Sequence, residues 1–198
     1  LVGAGRTEIA KAIFGDLPFE SGEILLDGKK VSIKSTHDAI DAGIALVPED
    51  RAKEGLVLLM TLSDNIALPN LDTVSTLGSP VKRKMATLTN DFIEKLTIRP
   101  GIPNRQIKSF SGGNQQKAVL SKWLARNPKV IILDEPTRGI DIGAKSEIYT
   151  IIQGLSEQGT SILFISSELT ELLANCDRII AIHEGQITGE FDKCDATQ

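Results

Sequence analysis

The chain has 198 residues, 41% apolar and 24% charged, with a formal charge of −4. That balance and length suit one globular domain with a sizeable core and exclude a disordered segment. A pI of about 5.3 gives no broad basic surface for nucleic acid or lipid, and no apolar run approaches the roughly 18 to 20 residues that span a bilayer.

In chain order, the first element is a glycine-rich turn, Gly3-Ala4-Gly5-Arg6-Thr7, entering a helix. A phosphate-binding loop reads G-x-x-x-x-G-K-[ST], and its amides with the following helix N-terminus form an anion nest. Gly5 fits the last glycine, Thr7 the metal-binding hydroxyl, and Leu1 to Ala4 the variable positions. The first glycine falls ahead of residue 1, and Arg6 replaces the lysine. An ordinary glycine turn before a helix accounts for the same residues equally well. With neither a basic start nor an apolar run behind it, the opening is not expected to be a signal peptide.

Short β-branched runs at Ile24–Leu26 and Ile44–Val47 read as strands. Residues 62 to 127 read as a helical insertion with no convincing strand. Leu88, Phe92, Ile93 and Leu96 predict one helix near 85–97; Val119, Leu120, Trp123 and Leu124 predict another near 113–127. Asp72 to Pro80 reads as loop. Ser111-Gly112-Gly113-Asn114-Gln115-Gln116-Lys117 opens the second helix. Ser111 is a good N-cap, and two glycines let a phosphate approach the free amides. They also lower helix propensity, so they are poor choices for capping alone.

Val130 to Leu133 is a continuously apolar strand ending in Asp134 and Glu135. Bare carboxylates there are costly unless they serve a cation or a reaction. Asp134 is placed to hold Mg²⁺ and Glu135 to polarise an attacking water. Ile148, Ile151, Ile152 and Leu155 then recur at helical spacing before the strand Ile162 to Ile165. This is a βαβ unit, which implies parallel strands buried on both faces. The chain closes on a strand at Ile179 to Ile182, a turn at Gly185 and a run to Phe191. His37 and His183 lack partners at ligand spacing and suit surface or strand-edge packing. Cys176 and Cys194 read as free thiols in a reducing compartment.

Together these residues resemble the ABC ATPase family. Ser111 to Gln115 is similar to the signature loop LSGGQ, with Phe110 at the leucine and Asn114 at the glutamine. Asp134 and Glu135 resemble the Walker B pair, and Gly139-Ile140-Asp141 the D-loop. Residues 3–8, Val47-Pro48-Glu49-Asp50-Arg51, 111–117, 134–145 and Ser166-Ser167-Glu168 look more narrowly like the C-terminal half of the tandem ATPases of bacterial monosaccharide importers, the ribose and galactose group. The resemblance implies an α/β P-loop NTPase of ABC type. Its mostly parallel sheet would carry an inserted α-helical subdomain at about 62–127 of a single domain, 1–198. The strand that such a loop follows would be missing ahead of Leu1.

The same resemblance implies ATP and Mg²⁺ as cofactors. Gly3, Gly5, Arg6, Thr7, Glu49 and Ser167 would line the chain's own nucleotide site, with Thr7 and Asp134 on the metal and Glu135 beside Asp134 as the catalytic pair. Ser111, Gly112, Gly113, Asn114, Gln115 and Asp141 would face nucleotide held by a partner half. Three positions depart from the pattern. Arg6 replaces the Walker A lysine. Glu49 stands at the Q-loop glutamine, its charge to be offset by Mg²⁺ or Arg51. Ser167 stands at the switch histidine and supplies no cation.

Implied partners are an N-terminal half of the same polypeptide, integral permease subunits and, indirectly, an extracytoplasmic sugar-binding protein, with no nucleic acid. The implied location is the cytoplasmic face of the bacterial inner membrane. Leu56 to Met60 would meet a permease coupling helix or pack into the chain's own core. A soluble ABC protein of translation or DNA repair, and a regulatory module without hydrolysis, are the alternatives. The first usually carries basic arms or long coiled insertions, which are absent from the sequence.

Overall fold

The structure, a computed structural model, describes residues 5–193. Gly3 and Cys194 therefore lie outside the described residues. Three parallel strands form the centre: β3 (Ile44–Val47), β6 (Val130–Asp134) and β7 (Ser161–Ile165), in the order β3-β6-β7. Ile44 pairs with Val130 and Val47 with Leu133; on the other side Val130 pairs with Ser161 and Asp134 with Ile165. β6 is thus the middle strand, and Ile131, Ile132 and Leu133 are completely buried. β7 departs from the expectation of burial on both faces: Leu163 is 37% exposed, and among the described residues the strand pairs with β6 alone.

The helix α1 (Arg6–Ile13) precedes a short antiparallel hairpin, β1 (Ile24–Leu26) with β2 (Lys29–Val31), and α2 (Thr36–Ala42) leads into β3. Ser35 caps α2, its hydroxyl accepting from the Asp38 amide. After β3 comes a π-helical turn, Arg51–Gly55, capped by Asp50, which accepts from the amides of Ala52 and Lys53. The chain between β3 and β6 is then mostly helical: α3 (Leu62–Ala67), α4 (Leu71–Val74), α5 (Lys82–Lys95) and α6 (Gly112–Leu124). The segment 72–80 is not simply loop. It ends α4 and forms a two-residue hairpin, β4 (Ser75–Thr76) with β5 (Ser79–Pro80), so the helical stretch does contain strands. They are polar and two residues long, which leaves no period to read.

α6 packs on the sheet through Val119, Leu120 and Trp123, and Trp123 meets Phe14 of α1 edge-to-face at 5.5 Å. α7 (Ile142–Glu157) crosses from β6 to β7, burying Ile148, Ile152 and Leu155. α8 (Leu169–Asn175) follows, and β8 (Arg178–His183) with β9 (Gln186–Asp192) make a C-terminal antiparallel hairpin turning at Gly185. Because β3, β6 and β7 are parallel, their C-terminal ends lie side by side. In open α/β sheets that is where ligands bind.

Candidate functional site

Two groups of side chains gather beyond the C-terminal ends of these strands. The first centres on β6. Asp134 is 2% exposed; its Oδ2 accepts from the Thr7 hydroxyl at 2.7 Å, and its Oδ1 is buried with no partner among the described residues. Burial raises the Asp134 pKa, and the Thr7 hydrogen bond and the Arg6 charge offset only part of this. Gly5 caps α1 in the left-handed conformation (φ 89°), which glycine adopts without strain. The turn it makes sets Arg6 and Thr7 in the first helical turn, whose amides have no intrahelical partner.

Glu135 follows in an uncommon backbone state for a glutamate, φ 47°, with its amide bonded to the Ile165 carbonyl. Its carboxylate receives the Ser167 hydroxyl at 3.2 Å, and the Arg6 guanidinium lies 3.8 Å away. Arg6 also donates to the Ser166 carbonyl at 2.7 Å. The structure therefore brings Gly5, Arg6, Thr7, Asp134, Glu135 and Ser167 together, although Arg6 and Ser166, the residue before Ser167, are 160 residues apart. Glu49 lies at the end of β3, paired with Arg138. The expectation that Arg51 offsets Glu49 needs correction: Arg51 instead donates to the carbonyls of Arg138, at 2.9 Å, and Gly139.

The second group surrounds the start of α6. Ser111 is exposed and caps the helix, and its hydroxyl accepts from Asn114 Nδ2 at 2.9 Å. Asn114 Oδ1 accepts from the Arg99 amide at 2.7 Å, and Gln115 Nε2 turns inward to the carbonyls of Ile107 and Phe110. Both glycines also have a packing role within the chain. A Cβ on Gly113 would come 2.5 Å from Cβ of Ala144 in α7, and one on Gly112 would come 2.8 Å from Arg51 Nη2. Asp141 caps α7 by accepting from the Ala144 amide at 2.9 Å.

The donor set beside Asp134 fits a magnesium ion. A hydroxyl and a buried carboxylate with an unpartnered oxygen are hard ligands. Among the described residues no cluster of three or more His, Cys, Asp or Glu could hold a metal by itself, and Mg²⁺ commonly takes one or two protein oxygens with phosphate and water completing the shell. The sequence reading missed Arg138, the anchoring role of Arg51, and Glu171, a buried acid behind Ser166 described below.

A family model described as ABC transporter matches residues 2–138. The chain belongs to the ABC transporter family. Among curated relatives, it is 51% identical over its whole length to the ribose import ATP-binding protein RbsA of Caldanaerobacter subterraneus subsp. tengcongensis, and 47% identical to that of Bacillus subtilis strain 168. It spans 40% of the length of each. Solved ABC cassettes share the fold. The nucleotide-free ATP-binding cassette of an ABC transporter superposes with a TM-score of 0.82 at 21% identity, covering 97% of this chain and 78% of that one. The dimeric post-hydrolysis cassette MJ0796, bound to ADP and Pi, gives 0.81 at 20%, covering 98% and 82%. The α/β architecture with a parallel sheet is therefore that of the ABC cassettes.

Proposed function

We propose that this chain is the second nucleotide-binding half of a tandem ATP-binding protein that energises import of a monosaccharide of the ribose class through integral permease subunits. The single observation that carries the nucleotide reading is the Thr7–Asp134 contact. It joins the N-terminus of α1 to the end of β6 and leaves a buried carboxylate oxygen with no partner among the described residues. The sugar reading is supported by similarity, over the whole of this chain and 40% of theirs, to ribose import ATP-binding proteins. On this reading 1–198 is one ABC domain with a helical subdomain at about 62–127. It works at the cytoplasmic face of the membrane, and a sugar-binding protein outside delivers the substrate.

In the chain's own site, the N-terminal turn of α1 and the Arg6 guanidinium would bind the phosphates. Thr7 and Asp134 would hold Mg²⁺, which when bound neutralises charge on the phosphoryl oxygens. Glu135 would orient the attacking water and accept its proton. Two features make this site a poor catalyst. Glu135 is engaged by Ser167, which supplies no cation, and Glu49 adds negative charge that Arg138 only balances. The exposed Ser111, with Gly112 and Gly113, would serve ATP held by the other half, the side on which hydrolysis proceeds. Asp141 would line the same junction.

The test is to assemble the full-length protein with its permease and a ribose-type binding protein in vesicles. ATP hydrolysis that rises when sugar-loaded binding protein is added, together with sugar uptake, is the expected result. Hydrolysis indifferent to permease and sugar would overturn the transport reading in favour of a regulatory or soluble ABC role.

A further inference from the structure

Glu171 lies in the first turn of α8 and is 6% exposed. Its Oε1 accepts from the hydroxyl of Thr137 at 2.7 Å, the hydroxyl of Tyr149 at 2.5 Å and the ammonium of Lys145 at 2.9 Å. Its Oε2 accepts from the Ser166 hydroxyl at 2.7 Å. Four donors thus converge on one carboxylate from three segments: the loop after β6, the first half of α7 and the loop after β7. Burial by itself would raise this carboxyl's pKa. The bonds from Tyr149, Thr137, Ser166 and Lys145 outweigh it and hold the value down to about 2. A seven-residue helix does not need a buried, fully bonded acid to form. The expense of desolvating it points to a task beyond packing.

The far side of Ser166 shows the task. Its carbonyl accepts the Arg6 guanidinium at 2.7 Å, its hydroxyl oxygen accepts the Glu168 amide at 3.0 Å, and Ser167 next to it donates to Glu135. Lys145, which also pairs with Glu168 at 2.8 Å, ties the same knot to the N-terminal turn of α7, one turn beyond the Asp141 cap. We propose that Glu171 is a positioning residue of the nucleotide site, clamping Ser166 so that its carbonyl orients Arg6 and Ser167 faces Glu135. The inference rests on the reading above that Arg6 faces a bound phosphate. Glu171 itself touches no ligand and acts through Ser166.

The experiment is photolabelling of the full-length protein with 8-azido-ATP and Mg²⁺. Labelled peptides are assigned by mass spectrometry to this chain or to the other half, and titration gives the apparent affinity of this site alone. Glu171→Ala should weaken labelling of this site roughly 5- to 50-fold, a span reached by coupling within one hydrogen-bond network. Glu171→Gln, whose amide still bridges Ser166 and the Oε1 donors, should recover most of the loss. Ser166→Ala cuts the link at one hydroxyl while leaving the other three donors on Glu171. It should shift affinity the same way, and it decides the matter if Glu171→Ala does not fold. In an Arg6→Ala background each of these effects should shrink below about 2-fold, because the path runs through Arg6. Unchanged affinity in Ser166→Ala, or an equal loss with and without Arg6, would overturn the positioning role and leave the nucleotide reading standing. Absence of ATP-competed label in this chain in the unsubstituted protein would instead overturn the nucleotide reading, and the positioning role with it.

Discussion

Burial pushes the Asp134 carboxyl above its usual range, because desolvation outweighs the help from Thr7 and Arg6. Glu171 is pulled the opposite way, to about 2, because four donors surround it. The two acids therefore act on stability with opposite sign. For Glu171 the stabilisation is present above the ordinary carboxylate range and is lost as pH falls toward about 2. For Asp134 the folded state holds its proton more tightly than the unfolded chain, so stability is greatest below the ordinary range and falls as pH rises through the raised value. At neutral pH, then, the charged Asp134 weakens the nucleotide-free fold; on the proposed reading it is kept for the Mg²⁺ it would hold, a trade of stability for function. Asp134→Asn should accordingly melt higher than the unsubstituted protein at pH 7 without nucleotide. A gain of about 1 kcal/mol corresponds to about 2 to 4 °C at this size. The gap should close in acid, where Asp134 is protonated anyway. Thermal unfolding across pH checks this, and a variant that melts lower at pH 7 contradicts it.

At the scale of elements, what the sequence made legible were the units whose pattern is local. β3 and β6 are continuous apolar runs, and α6 and α7 carry apolar residues at helical spacing; all four stand where that pattern places them. Asp134, Glu135 and Ser111 were legible for the same reason, each ending or opening such an element. What escaped were contacts made only by the topology. Arg51 meets carbonyls 87 and 88 residues away, and three of the four donors on Glu171 lie 22 to 34 residues away, so the local sequence pattern betrays neither role. The π-helical turn at Arg51–Gly55 was likewise hidden: its glycine passes close to Val119, where a Cβ would come within 3.1 Å. The apolar run that follows divides in a way the sequence did not reveal. Leu56 is buried and Leu58 half-buried, while Leu59 is 69% exposed and Met60 41%. The Leu58 and Met60 carbonyls are held by the amides of Lys108 and Ile107, so the run is a fixed surface. If it receives a permease helix, Leu59→Glu should abolish permease-stimulated hydrolysis. Its unfolding free energy should stay within about 0.5 kcal/mol of the unsubstituted value, as for other exposed sites. Denaturant unfolding beside a stimulation assay checks both halves of that statement. A destabilised Leu59→Glu protein would return the run to the chain's own core.

At the scale of the whole molecule, the two groups of site residues differ in what they face. Arg6, Glu135 and Ser167 are joined to one another, and Glu49 is paired with Arg138. Ser111, by contrast, is exposed at the tip of α6, held by a close fit against α7 that only glycine at 113 permits. On the proposed reading one group holds a nucleotide and the other is presented to a partner. If cassettes pair head to tail in a tandem protein, the presented group completes a site elsewhere, and substitutions in the two groups must have unequal effects. Ser111→Arg would set a bulky cation against the γ-phosphate of the facing site and block closure. An electrostatic contact that strengthens in the transition state is worth about 10²- to 10³-fold in rate, so losing it should remove most hydrolysis and uptake. Glu135→Gln acts only on the chain's own site, which already lacks a cation at Ser167 and carries Glu49. It should lower total hydrolysis by less than about 2-fold, because removing an interaction costs rate only where it strengthens in the transition state. The comparison needs both substitutions in the full-length protein assembled with its permease, assayed for ATP hydrolysis and sugar uptake. Equal severity would mean that this half hydrolyses ATP in its own right, and that Arg6 serves the phosphates as well as a lysine does.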